Sequence, residues 1–418
     1  MVGTEQDRQI VVATDHLRVV GAELGAGQVE KAVPNGPLGL TLLTLRDVPH
    51  AGTVLAERRA AEFPQAEVPE ASVQLDRVLA ELRCLCEERY AGWQPTVGKN
   101  RTLTGVQFKP YTNGADKPTP ATAPDPTAAA SLDRPGEQVR VGLFDTRITP
   151  HPLLTGRFLA DDGALLGPVA PGRQRLWWQG HATFIAGIVR RRAPGAVLDV
   201  RAALPPGADP SAGAAGVTSD EHWTLPVWDF ASILAGYRDA GVAVLNLSVG
   251  LCTEDGKPPL VLERAVAQLT PSMIVVAAAG NHGSAHPTDE QRKELPARGA
   301  PLFPAALDNV LAVGALDGDV AAEFNPCGAG GSGLAPWIDV CAPGVNTVSS
   351  YLGYGDREKV LVRDVAGHEE IVDFAGWASW SGTSFAAGEI TGALAALLAK
   401  GYDPSDAVTE IRRTFPRP

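Results

Sequence analysis

The sequence predicts an α/β protein with a doubly wound, mostly parallel sheet flanked by helices, preceded by a small α+β domain. From Val139 onward, short apolar runs alternate with helical segments, a pattern typical of strands that are buried on both faces and joined by crossover helices. Residues 113–137, just before this region, are rich in Pro, Ala, Thr and Asp and carry few large apolar side chains, so they cannot bury enough surface to fold. We therefore divide the chain into a small α+β module (1–112), a linker (113–137) and a large α/β domain (138–418).

Within the N-terminal module, three segments have the composition of strands and one has the periodicity of a helix. The strands are predicted at 8–24, 38–45 and 103–109, where β-branched and leucine residues occur in short runs. In residues 71–90, apolar side chains recur near helical spacing with Asp, Glu and Arg between them, which predicts an amphipathic helix.

The large domain contains five predicted strands and four predicted helices. The strands are predicted at 139–145, 196–201, 242–248, 273–279 and 310–315. The helices are predicted at 181–191, 227–240, 258–269 and 384–400. In an open parallel sheet the working residues lie at the carboxyl ends of the strands, so a functional site is expected there.

Composition and charge exclude several classes of protein. The chain has 44% hydrophobic and 20% charged residues, which is ordinary for a globular protein. Its net charge of -12 argues against nucleic acid or an anionic membrane as a partner. The longest apolar run near the N-terminus, 38–45, is too short to span a bilayer.

The cysteines and the N-terminus bear on the cellular compartment. The five cysteines are an odd number, and their spacing fits neither a disulfide framework nor a zinc site. The N-terminus shows no basic start followed by an apolar run, so we expect a cytoplasmic location. A secreted protein whose signal had been removed would have the same sequence.

The most informative stretch runs from Trp377 to Lys400, where Gly382-Thr383-Ser384 leads directly into an Ala- and Leu-rich helix. Ser384 is therefore predicted at a helix start, where unpaired N–H groups and the helix dipole favour the negative charge that develops when a serine attacks a carbonyl. The alternative is that Ser384 only caps a buried helix, since Ser is preferred at that position.

Three other residues stand at element boundaries where a serine nucleophile would need help. Asp145 ends a buried strand and therefore requires a partner for its charge, although a capping role is the alternative. His181 opens a helix and is suited to act as a general base near neutral pH. Asn281 closes a strand and has an amide that can donate to an oxyanion, although a turn asparagine is the alternative.

Two segments offer backbone to a substrate. A peptide could pair along the edge formed by Ser248, Val249 and Gly250; the alternative is a strand that ends in a glycine turn. The small residues Ala278, Ala279 and Gly280 leave room for a substrate before Asn281.

Six segments within residues 139–400 resemble, in order, the successive signatures of subtilisin-like serine peptidases. They are FDTRI, GHATFIAGIV, VLNLSVG, AAAGN, DVCAPG and SGTSFAA. This resemblance implies a subtilisin-like fold with Ser384 as nucleophile, His181 as general base and acid, and Asp145 orienting the imidazole. It also implies an oxyanion hole formed by Asn281 with the Ser384 N–H, and a pocket lined by 248–250 and 278–280 for the residue before the cut.

The chain departs from the family's pattern in two places. Gly388 and Glu389 stand where the family usually continues with Pro-His, which we expect to alter helix packing more than chemistry. His282 follows Asn281 where many relatives carry an acid, which could shift the local charge.

The resemblance implies a serine endopeptidase that acts on peptides or proteins and requires no cofactor. Asp161, Asp162 and Gly163 could suggest structural calcium, but a solvated turn is favoured because no ligand loop is recognisable. The alternative is a pseudoenzyme that binds peptides or serves as a scaffold. An α/β-hydrolase esterase is disfavoured, because His181 precedes Ser384 and Ala386 occupies the last glycine position of G-x-S-x-G.

The role of the N-terminal module (1–112) stays open at this point. Its size and the linker after it resemble the propeptide of secreted family members, which assists folding and then blocks the active site. Against this role, no export signal is seen before it, and the module could instead recognise a substrate or partner. In either role it is expected to contact the catalytic domain.

Overall fold

The computed structural model describes residues 5–25, 27–65, 69, 71, 73–104, 117–123, 138–161, 163–169, 174–203, 224–283, 296–331, 333–363 and 369–418. The chain forms two compact units. The first comprises Met1–Leu103 with Pro226–Ala235 and Pro258–Gln268, and the second comprises Thr104–Leu225, Gly236–Lys257 and Leu269–Pro418.

The first unit is built on an antiparallel sheet of four strands in the order β2-β3-β1-β4. The strands are β1 (Gln9–Ala13), β2 (Val29–Asn35), β3 (Leu40–Leu45) and β4 (Val97–Lys99). Three helices, α1 (Leu17–Leu24), α2 (Val48–Glu62) and α3 (Gln74–Arg89), supply the other side of its apolar core. The predicted α+β class and the predicted helix at 71–90 are therefore confirmed.

The predicted strand at 8–24 is wrong beyond Ala13, because α1 begins at Leu17. Val20 and Leu24 are fully buried, but Ala22 between them is exposed, whereas a strand would place all three on the same face. Burial of this helical stripe in the core outweighs the strand preference of the two valines.

Helix α2 and strand β2 were not predicted. Asp47 caps α2, because its Oδ1 accepts from the His50 N–H at 2.9 Å, and Pro49 lies in the first turn. Val48, Ala51 and Leu55 recur at helical spacing and are buried, so the signal was present in the sequence.

The first unit also contains two helices from later in the chain, α5 (Val227–Ala235) and most of α6 (Leu260–Leu269). Asn35 at the end of β2 donates from Nδ2 to Ser232 Oγ at 2.9 Å. A Cβ on Gly98 of β4 would lie 3.1 Å from Leu260 Cβ, so the strand contacts α6 closely. The N-terminal sheet is thereby joined to two helices of the first unit that come from later in the sequence.

The second unit contains seven parallel strands in the order β18-β16-β14-β12-β7-β10-β8, with β17 antiparallel to β16. These strands are β7 (Arg140–Asp145), β8 (Phe158–Ala160), β10 (Val197–Ala202), β12 (Val244–Leu247), β14 (Ile274–Ala278), β16 (Leu311–Asp317), β17 (Val320–Ala321) and β18 (Val340–Pro343). The five predicted strands form the centre of this sheet, and the doubly wound α/β class is confirmed.

Shorter strands complete the elements. They are β5 (Thr102–Thr104), β6 (Thr119–Pro120), β9 (Arg175–Leu176), β11 (Thr224–Pro226), β13 (Leu251–Cys252), β15 (Leu302–Phe303), β19 (Thr347–Ser350), β20 (Glu358–Arg363), β21 (Glu369–Phe374) and β22 (Trp377–Trp380). The remaining helices are α4 (His181–Arg192), α7 (Thr383–Ala399) and α8 (Pro404–Thr414). The predicted strand at 103–109 lies mostly outside the described residues.

The sheet and helices pack closely where glycine stands in the sequence. A Cβ on Gly142 of β7 would lie 2.6 Å from Leu245 Cδ1, and a Cβ on Gly392 of α7 would lie 2.6 Å from Arg192 Cβ on α4. Gly388 also faces α4, although a Cβ there would lie at an ordinary contact distance, 3.4 Å, from Ile188 Cγ2. Helices α4 and α7 therefore pack side by side with little between their backbones.

Part of the predicted linker is ordered. Strand β6 pairs antiparallel with β22, with Thr119 opposite Ser379 and Pro120 opposite Ala378. The Ala121 N–H also donates to the Trp377 carbonyl at 3.3 Å. Most of 113–137 lies outside the described residues.

His151 anchors the start of β22. Its Nε2 donates to the Gly376 carbonyl at 3.1 Å, its Nδ1 accepts from the Leu153 N–H, and its ring packs against Trp377 and Tyr354. Burial lowers the pKa of His151 to about 4, although the hydrogen bond to Gly376 opposes this shift.

We predict that this histidine makes the fold less stable in mild acid. Because its pKa in the folded chain lies below the unfolded value of about 6.5, the unfolded chain binds the extra proton first as the pH falls. The contribution of His151 is fully present well above the unfolded pKa of about 6.5, and about 3 kcal/mol of stability is lost by pH 4. The measurement is the free energy of unfolding in denaturant, at pH 7 and pH 4.5, for the wild type and for His151→Gln. Between the two pH values, this free energy should fall less in the variant than in the wild type. The control is His50→Gln, at an exposed histidine, which should lose as much unfolding free energy as the wild type. An equal loss in His151→Gln would contradict the conclusion that His151 causes the acid sensitivity.

Among the helices that the structure describes, none combines the length and the apolar character needed to cross a membrane.

Candidate active site

Asp145 and His181 meet at the carboxyl end of β7. His181 Nδ1 donates to Asp145 Oδ1 at 2.6 Å, and both side chains are 2% exposed. Asp145 Oδ1 also accepts from the Thr146 N–H at 2.7 Å. Because a carboxylate only accepts hydrogen bonds, this contact requires the imidazole proton on Nδ1 and leaves Nε2 as the acceptor in the neutral ring.

The start of α4 holds His181 in this position. The Ala182 N–H donates to Thr146 Oγ1 at 3.0 Å, which ties the first turn of the helix to the loop after β7. Gly180 is required just before it, since a Cβ there would lie 2.2 Å from Cε2 of Tyr351. The imidazole also contacts the rings of Trp380 and Phe385, at centroid distances of 5.6 and 5.7 Å.

Ser384 lies in the first turn of α7 and is 1% exposed. Its neighbour Thr383 is fixed by two hydrogen bonds to Asn281 Oδ1, one from Thr383 N and one from Thr383 Oγ1, each 3.0 Å long. The Gly280 N–H in turn donates to Thr383 Oγ1 at 3.0 Å. The nucleophile candidate is thus held between a threonine bound to Asn281 and a phenylalanine that contacts His181.

The orientation of the Asn281 amide follows from these contacts. Because Oδ1 accepts two hydrogen bonds from Thr383, the donor group Nδ2 points in the opposite direction. In the described part of the chain, the buried His181 Nε2 has no hydrogen-bond partner. Hydrogen bonds that serve catalysis often tighten only when substrate is bound, so this open acceptor is compatible with a general base.

The two predicted substrate segments leave the sheet side by side. Ser248, Val249 and Gly250 follow β12, Ala278 ends β14, and β12 and β14 pair in parallel with Leu247 opposite Ala277. Ser248 Oγ donates to Asn246 Oδ1 at 3.0 Å, and Asn246 Nδ2 donates to Thr391 Oγ1 of α7 at 3.0 Å. The first segment is therefore tied to the helix that carries Ser384.

Of the unusual pair Gly388 and Glu389, the glutamate has a structural explanation. Glu389, 3% exposed, accepts from Arg191 Nη2 at 2.7 Å and from Arg192 Nε. Gly388 faces α4, where a Cβ would make only ordinary contacts with Ile188. Both arginines lie in the last turn of α4, where a positive charge also complements the helix dipole. An ion pair therefore joins the helix of Ser384 to the helix of His181.

His282 does not place a second charge beside the site. Burial lowers its pKa, against a weaker opposing effect from the hydrogen bond that its Nε2 donates to the Ala300 carbonyl at 3.0 Å. The imidazole is therefore neutral near pH 7.

Several residues that support the site were not predicted from the sequence. Thr383 fixes Asn281, Thr146 fixes the start of α4, and Trp380 packs on the His181 ring. Ser349 and Ser350 of β19 donate to the carbonyls of Phe184 and Thr183. Thr383 and Trp380 lie close to Ser384 in the sequence, and this position could have identified them as supporting residues. Nothing in the sequence pointed to the two serines of β19.

The described residues include no group of three or more His, Cys, Asp or Glu side chains arranged to hold a metal ion. In the segment considered for calcium, Asp161 Oδ1 accepts from the Ala164 N–H at 2.8 Å, as in a turn, and Asp162 lies outside the described residues.

The comparisons with known proteins agree on one family. A family model described as the subtilase family matches residues 136–415. Subtilisin Savinase from Lederbergia lenta is 31% identical over 296 residues, which are 68% of this chain and 84% of that protein. An alkaline protease from Alkalihalobacillus alcalophilus is 30% identical over 296 residues, and the match spans 60% of that protein.

A solved structure supports the fold independently. Fervidolysin from Fervidobacterium pennivorans, described as a keratinolytic enzyme related to subtilisin, matches with a TM-score of 0.52 at 18% identity, covering 95% of this chain and 55% of that one. The chain thus spans only part of several of these relatives. On the family match and the identity with Savinase, the chain belongs to the subtilase family and is a subtilisin-like serine peptidase.

Proposed function

We propose that this peptidase cleaves peptide bonds within peptides or proteins through an acyl-enzyme on Ser384. The observation that carries the proposal is the hydrogen bond between buried Asp145 and His181, beside the helix whose first turn holds Ser384. A buried carboxylate paired with an imidazole is the arrangement that orients a general base.

In the proposed reaction, His181 Nε2 takes the proton of Ser384 Oγ as the hydroxyl attacks the scissile carbonyl. Asp145 holds the imidazole in the tautomer that leaves Nε2 free and stabilises the imidazolium that forms. The same proton then goes to the leaving amine, which departs and leaves the acyl group on Ser384. Water repeats the two steps, with His181 as base, to release the acid and restore the serine.

The tetrahedral intermediate carries a negative oxygen that needs donors. We propose that Asn281 Nδ2 and the Ser384 N–H supply them. The two hydrogen bonds from Thr383 to Asn281 Oδ1 support this role, since they fix the amide before substrate binds. Each such donor is worth roughly 10²–10³ in kcat in comparable enzymes.

Replacing Ser384 by Ala should abolish both turnover and covalent labelling by a sulfonyl fluoride, because no oxygen nucleophile remains. A roughly 10⁶-fold loss of kcat is expected from triad variants of subtilisin. Ser405→Ala, on the exposed first turn of α8, is the matched control and should label and turn over like the wild type. Full labelling of a folded Ser384→Ala variant would rule out this nucleophile, and a folded wild type with neither activity would favour a pseudoenzyme.

A further inference from the structure

The gap between the two substrate segments is already occupied by a side chain of this chain. A Cβ on Gly250 would lie 2.8 Å from Leu302 Cγ and 2.9 Å from Leu302 Cδ2. A Cβ on Gly280, across the gap, would lie 3.1 Å from the same Leu302 Cδ2. One leucine methyl group therefore contacts both walls of the proposed pocket.

Leu302 is held in this place by the backbone. It begins β15, which pairs antiparallel with β13, so that Cys252 lies opposite Leu302 and Leu251 opposite Phe303. Strand β13 directly follows Gly250, so the wall and the residue that fills the gap belong to one small ribbon. Leu302 is 3% exposed, so its side chain is buried in the gap.

His282 borders the gap beside Leu302. The Cβ position of Gly280 lies 2.9 Å from His282 Nδ1 and 3.1 Å from His282 Cε1. The hydrogen bond from Nε2 to the Ala300 carbonyl holds the ring, which is 6% exposed. An apolar leucine and a neutral imidazole thus close the space, and neither offers a charge to a charged substrate side chain.

We infer that this peptidase cleaves after residues with small side chains, Gly, Ala or Ser, because Leu302 and His282 fill the pocket that would receive the side chain before the scissile bond. This inference rests on the proposed function and assigns its substrate class. A large side chain such as Phe would require Leu302 to leave a closely packed position, and overpacking of this kind is strongly disfavoured. A charged side chain would be buried without a partner.

The test uses peptides that differ only at the residue before the cut, with Gly, Ala, Ser, Leu or Phe there. For the wild type, we expect kcat/KM for Ala to exceed that for Phe at least about 100-fold. Leu302→Gly should open the gap and lower the Ala-to-Phe ratio of kcat/KM at least about tenfold, mainly by raising kcat/KM for the Phe and Leu peptides. Leu302→Ala should do so to a smaller extent and serves if the glycine variant does not fold.

The control is Leu307→Ala, which removes a buried leucine from the same segment beyond β15 and should keep the wild-type ranking. A wild type that cleaves after Phe as well as after Ala would overturn the inference, as would a folded Leu302 variant with an unchanged ranking. Failure of the proposed function gives a different result, since no peptide of the series would then be cleaved and no sulfonyl fluoride would label the wild type.

Discussion

Asp145→Asn should lower kcat about 10⁴-fold while the protein remains folded. The carboxylate accepts from His181 Nδ1 at 2.6 Å and so fixes the proton on that nitrogen. An asparagine of the same shape can present its amide donor to Nδ1, which favours the other tautomer and puts the proton on Nε2, where a general base must be bare. The measurement is steady-state kcat with a peptide that the wild type cleaves, together with circular dichroism as a check of folding.

The matched control is Asp161→Asn, which changes a turn carboxylate that accepts from the Ala164 N–H and should leave kcat near the wild-type value. A kcat within tenfold of the wild type for folded Asp145→Asn would show that the buried carboxylate does not orient the base.

The Arg191→Ala, Arg192→Ala double variant should be destabilised by about 3–5 kcal/mol, the usual result of leaving a buried charge without its partners. Glu389, 3% exposed on α7, would then have a buried carboxylate and no arginine beside it. The two arginines are partly exposed, so removal of Glu389 alone leaves them able to reach water and should destabilise less.

A thermodynamic cycle separates the lost charge pair from lost packing. Adding Glu389→Gln to the double arginine variant removes the stranded charge and should restore part of the stability. Denaturant unfolding in the Ser384→Ala background measures each free energy without self-digestion. Arg413→Ala is the control, because its pair with Glu410 on α8 is exposed and its loss should move the unfolding midpoint little. A Glu389→Gln addition that destabilises the double variant further would contradict this account.

The centre of the catalytic sheet was predictable because its strands are buried on both faces. Runs such as 139–145 and 273–279 are rich in apolar residues, as expected of strands at the centre of a parallel sheet. The N-terminal module was harder. Residues 17–24 contain two valines that favour a strand locally, and only burial against α2 and α3 makes the helix the better solution.

The site residues that could be predicted are those at the start or end of a helix or strand, because such a position is typical of functional residues in a parallel α/β fold. Asp145, His181, Asn281 and Ser384 each stand at an element boundary, and the structure brings the first two into a hydrogen bond and links the last two through Thr383. The sequence could not reveal that Leu302 fills the space between two glycines, because that contact joins segments fifty residues apart through an antiparallel ribbon. The roles of the site residues, and the limits and role of the 1–112 module, stay predictions.

The departure at Gly388 and Glu389 was expected to alter helix packing more than chemistry. The structure places both residues against α4, where Gly388 faces Ile188 and Glu389 binds two arginines. Both changes belong to the packing of two helices, and neither removes a donor, acceptor or nucleophile from the site.

The most direct test of the account is the location of a trapped acyl group. The wild type is mixed with a small activated ester, quenched in acid before deacylation, digested, and its peptides are sequenced by mass spectrometry. We predict one acyl group, on the Ser384 hydroxyl, in the segment that spans 377–400. An acyl group on a different residue, or turnover of the ester with Ser384 unmodified at every quench time, would contradict the central claim that this serine is the nucleophile.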